Sequence, residues 1–241
     1  MKEPGTNGGT DTMEITWFGH SSIGVVVGSE SLFFDPIREN KMLSTCLKPT
    51  RKATAIFLSH EHWDHCDDVT VRSIGNLKTK IIGPKKALAN LFFPSLTFEL
   101  ESVQEMESFF SKKNPYVHHV TSGDHIHLEG CAVRCLPSSE GLAYLIEGKK
   151  NILFMGDSVA NSEMIDTKPD VILFPVWAVR GEEADLDMFI KFPDEALYLP
   201  MHYHTSKKGL ANFYVQEEEL KKLLPESKNI RIMQRKTPLY I

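Results

Sequence analysis

Six consecutive residues, His60-Glu61-His62-Trp63-Asp64-His65, set three imidazoles and two carboxylates just behind the apolar run Ala55-Ile56-Phe57-Leu58. The apolar run reads as a short buried strand, and Asp67-Asp68-Val69 reads as the capped start of a helix. The six residues therefore occupy the loop that leaves the carboxyl end of a strand, the edge at which layered α/β folds bind their ligands. Imidazole with a neighbouring carboxylate suits zinc or another first-row divalent ion. In an extended chain His60 and His62 share a face, whereas the adjacent Asp64 and His65 must diverge, so one loop can serve two metal positions. The ordinary alternative is a surface loop in a chain with ten histidines among 241 residues. The ligand spacing argues against it.

Two distant residues fit the same chemistry. Asp157 follows the apolar stretch 151–155 and His202 follows 196–201, each reading as a short buried strand that ends in a ligand type. A buried carboxylate is costly unless paired or coordinated, and a divalent cation flanked by Asp64 and Asp157 supplies that compensation.

His-x-His-x-Asp-His behind a strand is the signature of the metallo-β-lactamase superfamily, which this sequence resembles over about residues 15–241. Ile15-Thr16-Trp17-Phe18-Gly19-His20-Ser21-Ser22 and Leu32-Phe33-Phe34-Asp35-Pro36 resemble the amino-terminal hairpin of the branch containing L-ascorbate-6-phosphate lactonase and N-acylphosphatidylethanolamine phospholipase D. Ile152-Leu153-Phe154-Met155-Gly156-Asp157 resembles the strand that delivers a bridging aspartate, and Leu199-Pro200-Met201-His202-Tyr203-His204 the strand end that delivers the last histidine. The resemblance implies an α/β fold, the αββα four-layer sandwich, formed by residues 12–241 as a single domain; residues 1–11, polar and Gly-rich, are expected to be a disordered tail. It implies His60 and His62 on metal 1, Asp64, His65 and His202 on metal 2, and Asp157 shared between them.

One departure stands out. The superfamily supplies a third histidine to metal 1 in a His-x-x-Gly setting, and aligning Leu136-Pro137-Ser138-Ser139-Glu140-Gly141 on Gly141 puts Ser138 in its place. A serine hydroxyl is a poor ligand beside imidazole, so weak occupancy of metal 1 is expected; the alternatives are that Glu140 or another histidine reaches in, or that the enzyme runs with one metal in the Asp64-His65-Asp157-His202 site. The cofactor expectation is one or two divalent ions, zinc first, with manganese, iron or nickel as alternatives.

The resemblance also implies the reaction. A bound divalent ion lowers the pKa of its water from about 15.7 to about 7, so a metal-bound hydroxide is expected to hydrolyse an ester-type bond, a lactone or phosphodiester. Asp64 is the expected catalytic carboxylate. His20 is a candidate for contact with substrate or support of the metals, against an ordinary turn histidine between Gly19 and Ser21. His204, on the face of His202, is a candidate proton donor. His118, His119, His125 and His127 read as strand-face or surface residues. Phe92-Phe93-Pro94, Trp177 and Tyr203 are candidate pocket walls, with core packing the plainer reading. The alternative to an enzyme is a non-catalytic metal- or ligand-binding protein on a degenerate scaffold, to which the retained Asp64 is opposed.

Composition narrows the setting. A hydrophobic fraction of 41% supports a sizeable core. Cys46, Cys66, Cys131 and Cys135 lack a framework spacing, so reduced thiols and a cytoplasmic location are expected, with Cys66 as a small buried filler. No apolar stretch approaches the roughly 18 residues of a membrane span. The net charge of −5 comes without a basic run to follow a phosphate backbone. The expected partner is a small soluble substrate rather than nucleic acid or membrane, with homo-oligomerisation left open. Helices are expected over 67–74, 85–92, 182–190 and 210–224.

Overall fold

The computed structural model describes residues 12–37, 51–92, 116–179, 186–203 and 217–241, which form two mixed β-sheets and the helices packed on them. In the first sheet β1 (Glu14–Gly19), β2 (Ser22–Val27) and β3 (Glu30–Phe34) form an antiparallel meander. β4 (Ala55–Phe57), β5 (Lys80–Gly83) and β6 (Val117–His119) extend it in parallel from β3. In the second sheet β7 (His125–Leu128), β8 (Cys131–Pro137), β9 (Leu142–Glu147) and β10 (Ile152–Phe154) run antiparallel in turn. β11 (Val171–Pro175) and β12 (Leu197–Met201) then add in parallel to β10. β13 (Leu239–Tyr240) returns to the free side of β1.

The two-residue period of the strands explains the layers. Leu32 and Phe34 of β3, with Ala55 and Phe57 of β4, belong to the core between the sheets. There Phe34 lies 5.2 Å from Phe154, and Phe57 lies 5.2 Å from Tyr144, centroid to centroid. The intervening Phe33 and Ile56 face the other way, into a second cluster with Val71 and Ile74 of α1 (Asp68–Ile74) and Ala87, Leu88 and Leu91 of α2 (Lys85–Phe92). Strands with both faces buried read as continuous apolar runs, as Ala55-Ile56-Phe57-Leu58 does.

On the second sheet, α3 (Ser162–Asp166) starts at Asn161, whose side chain accepts from Met164 N. The register that puts Phe154 inside puts Phe174 and Tyr198 outside, where Phe189 of α4 (Met188–Lys191) meets both. Helices thus flank two packed sheets, the αββα arrangement. α5 (Glu217–Leu223) exposes Glu217, Glu218 and Glu219 and buries Leu220. The helix expected over 210–224 is described only from Glu217, and of that expected over 182–190 residues 182–185 lie outside the described residues, as does the tail at 1–11. Cys66, Cys131 and Cys135 are free thiols, and Cys46 lies outside the described residues.

Candidate metal centre

β1, β3, β4, β8, β10 and β12 all deliver their carboxyl ends to one edge of the sandwich, because each is parallel to its counterparts or separated from them by an antiparallel neighbour. Just beyond those ends stand His20, Asp35, the 59–65 loop, Glu140, Asp157 and His202. Three of these, His20, Asp35 and His202, have φ of 49°, 43° and 62°, in the left-handed region that residues with a Cβ adopt at a cost. Backbone bonds hold them there: His202 N donates to His20 O at 2.9 Å, and Asp35 N to Phe57 O at 3.0 Å. Gly141, with φ of 150°, crosses over Ser59, whose carbonyl a Cβ would meet at 2.4 Å.

The inner part of the site is compact. His65 Nε2 lies 3.1 Å from His202 Nε2, 3.3 Å from Asp157 Oδ1 and 4.0 Å from Asp64 Oδ2. His202 Nε2 lies 3.2 Å from Asp157 Oδ2 and 3.5 Å from Asp64 Oδ2. Donors 2.0–2.1 Å from a tetrahedral ion stand about 3.3–3.4 Å apart, close to the spacings of His65 and His202 from each other and from Asp157, with Asp64 somewhat farther out; His20, Asp64, His65 and His202 each offer an atom within 4.8 Å of the others. Asp157 Oδ1 is buried and has no well-formed hydrogen bond among the described residues, an acceptor left for a cation.

The surrounding bonds select the tautomers. Asp35 Oδ1 accepts from Ser59 N at 2.7 Å, and Oδ2 accepts from Ser59 Oγ at 2.5 Å and from His65 Nδ1 at 2.7 Å. With its Nδ1 proton given to Asp35, His65 turns Nε2 to the centre. Ser59 Oγ has spent its proton on Asp35, so at 2.8 Å it accepts from His60 Nδ1, and His60 Nε2 is likewise turned inward.

Electrostatics follow from this geometry. Burial opposes charge on His65, but Asp35 and Asp157 overcome it and raise its pKa to about 10. Burial likewise opposes charge on His202, and Asp157 and Asp64 raise its pKa nonetheless. For His60 burial dominates, reinforced by His65, and holds it neutral with a pKa lowered to about 4. Asp64 and Asp157 stay well below the usual carboxylate range despite burial, Asp64 chiefly through bonds from His20 and His202, Asp157 chiefly through His65 and His202. Two anions, a neutral His60 and imidazoles whose protons a cation can displace, all in one pocket, suit a divalent ion.

The outer part is open to solvent. His60 Nε2 stands 3.0 Å from His62 Nδ1, and His62 Nε2 stands 3.7 Å from Glu140 Oε2. The Ser138 backbone turns back instead, donating from N to Gly141 O, while its hydroxyl accepts from Glu140 N at 3.4 Å.

His20 is fully buried and donates from Nε2 to the ionised Asp64 Oδ2 at 3.0 Å; it faces Asp64 rather than open space. His204 and Phe93-Pro94 lie outside the described residues. His118, His119, His125 and His127 lie on β6 and β7, the edge strands, and among the described residues they join no ligand group with the centre. Tyr203 is core, stacked on Trp17 at 4.7 Å. Cys66 Sγ donates to Ala87 O, away from the centre. Sequence reasoning did not single out Asp35 or Ser59, although an Asp-Pro ending the apolar run Leu32-Phe33-Phe34 repeats the strand-then-carboxylate pattern of Asp157.

The Beta-lactamase superfamily domain family matches residues 14–191. The UPF0173 protein of Pyrococcus furiosus is 27% identical over 88% of this chain and 90% of its own length. The UPF0173 metal-dependent hydrolase of Flavobacterium johnsoniae is 24% identical over 92% of this chain and 96% of its own. Among solved structures Igni18, a metallo hydrolase of Ignicoccus hospitalis, superposes with a TM-score of 0.65 at 18% identity, covering 95% of this chain and 98% of its own.

Proposed function

We propose, of a chain that belongs to the metallo-β-lactamase superfamily, that it is a metal-dependent hydrolase of an ester-type bond, a lactone or phosphodiester, in a small substrate. The observation that carries this reading is the convergence of His65 Nε2 and His202 Nε2 on both carboxylates, Asp64 and Asp157, at 3.2–4.0 Å. An ion held by these residues supplies a Lewis acid and an acidified water, with zinc the first candidate.

The chain's own groups then divide the work. Asp157 and Asp64 hold negative charge that would offset the charge of a bound divalent ion, and Asp35 fixes the ring of His65. Asp64, held ionised by the bond from His20, would be placed to accept a hydrogen bond from a water at the centre and aim its lone pair. A carboxylate with so depressed a pKa is a weak proton acceptor, so orientation rather than proton removal is its part. His20 acts through Asp64 as a positioning residue. Substrate enters on the side of His62 and Glu140, whose side chains are 52% and 48% exposed, beside the exposed Trp63. Among the described residues no helix is long and apolar enough to cross a membrane, which accords with a small substrate reached from water.

Lactone and phosphodiester panels assayed before and after chelation test the reading. Activity that vanishes with the metal, returns with zinc, and falls by orders of magnitude in Asp64→Asn is expected. Hydrolysis that survives full metal removal would reject it.

A further inference from the structure

Glu140 sits two residues beyond Ser138 on the loop between β8 and β9, at the open mouth of the centre. Its carboxylate, His60 and His62 each offer one atom within 4.8 Å of the others. From this juxtaposition we propose that Glu140 is a ligand of the outer metal position beside His60 and His62, filling the place that Ser138 leaves open, so that the position binds its ion firmly rather than weakly.

Three features of the loop support the assignment. Its path is dictated by Gly141, which lies against the Ser59 carbonyl with a φ no side chain tolerates there, and Leu142 N donates to that same carbonyl at 3.0 Å. The residue before Gly141 is thereby anchored over the loop that carries His60 and His62. Ser138 is occupied within its own turn, accepting from Glu140 N and donating its backbone N–H to Gly141 O. Ser139 braces the other side, its hydroxyl donating to Asp157 O at 3.1 Å and its N–H to Ser158 Oγ at 3.3 Å. Of the four residues 138–141, only Glu140 presents a metal-grade donor toward the histidines.

The chemistry differs from a three-histidine position. A carboxylate adds a negative charge and a hard oxygen donor, which favours manganese and ferrous iron more than imidazole does; zinc still binds a given set more tightly, but its lead narrows. The proposal rests on the metal-dependent reading above, and a binding experiment separates the two.

Purified full-length chain is stripped with chelator and titrated with Zn(II) and Mn(II) against a chromophoric competitor, with far-UV circular dichroism confirming the fold of each variant. Two equivalents of zinc are expected to bind. Glu140→Gln, similar in size and exposed enough to leave folding intact, is expected to weaken one equivalent at least about tenfold and leave the other unchanged. Ser138→Ala is expected to keep both. Glu140→His is expected to restore the second zinc equivalent while raising the ratio of manganese to zinc dissociation constants. Two equally tight equivalents in Glu140→Gln, or a single equivalent in both the natural chain and Glu140→Gln, overturn the assignment of Glu140 and leave the metal-dependent reading standing. No bound metal in the natural chain overturns that reading itself.

Discussion

Asp35 shows how a single residue can govern a centre through the side chains it holds. Its carboxylate is completely buried, and its three bonds orient both the ring of His65 and the hydroxyl that orients His60. Asp35→Asn keeps the shape but replaces one acceptor oxygen by a donor that faces Ser59 or His65. Zinc affinity is expected to fall by about 10–100-fold, read by competition titration, with turnover falling in step at subsaturating metal. Protons compete at the same ring. With a His65 pKa of about 10 against an ordinary 6.5, zinc affinity should climb as pH rises between those values, because each increment removes the proton that zinc displaces. The sign reverses for the stability of chelated protein: a raised histidine pKa stabilises the fold fully below 6.5, and that contribution is lost as pH rises through 10. Melting temperatures of the chelated chain at pH 7 and pH 10 check it, with the lower value expected at pH 10.

At the scale of elements, the strand ends are what the chain spends its unusual backbone on. Gly141 passes over Ser59 where a Cβ would strike a carbonyl, and no flexible side chain can yield. Gly141→Ala is expected to destabilise by about 1–3 kcal/mol, read by denaturant unfolding, and to loosen the outer metal through the displaced 59–62 segment. Elements were legible where one apolar run led straight to a ligand: Ala55-Ile56-Phe57-Leu58 into His60, 151–155 into Asp157, and 196–201 into His202. Both faces of those strands are buried, so the pattern needs no knowledge of partners. Glu140 was legible only as an alternative to Ser138, because aligning on Gly141 identifies a position in sequence, whereas the turn through Ser138 decides which side chain comes near His62. Asp35 and Ser59 were hidden for a related reason: they hold ligands in place, and local spacing reveals ligands rather than the residues behind them.

For the molecule as a whole, the core between the sheets ties the metal edge to stability. Phe57 lies fully buried against Phe34 and Tyr144, one residue pair before Ser59, and Tyr144 Oη donates to Leu58 O at 2.7 Å. Phe57→Ala is expected to cost about 3–5 kcal/mol of unfolding free energy in chemical denaturation. Added zinc should recover part of that loss, since a ligand that binds only the folded chain shifts unfolding by RT ln(1 + [L]/Kd).

The inequality of exposure between the two halves of the centre has a consequence in time. His65 and His202 are 0% and 2% exposed in their side chains, whereas His62 and Glu140 are about half exposed. A chelator can approach the outer ion directly but must wait for the edge to open before reaching the inner one. Stripping should therefore run in two phases, a fast loss and then a slow one, so that how long a preparation has spent in buffer decides how many ions it still carries.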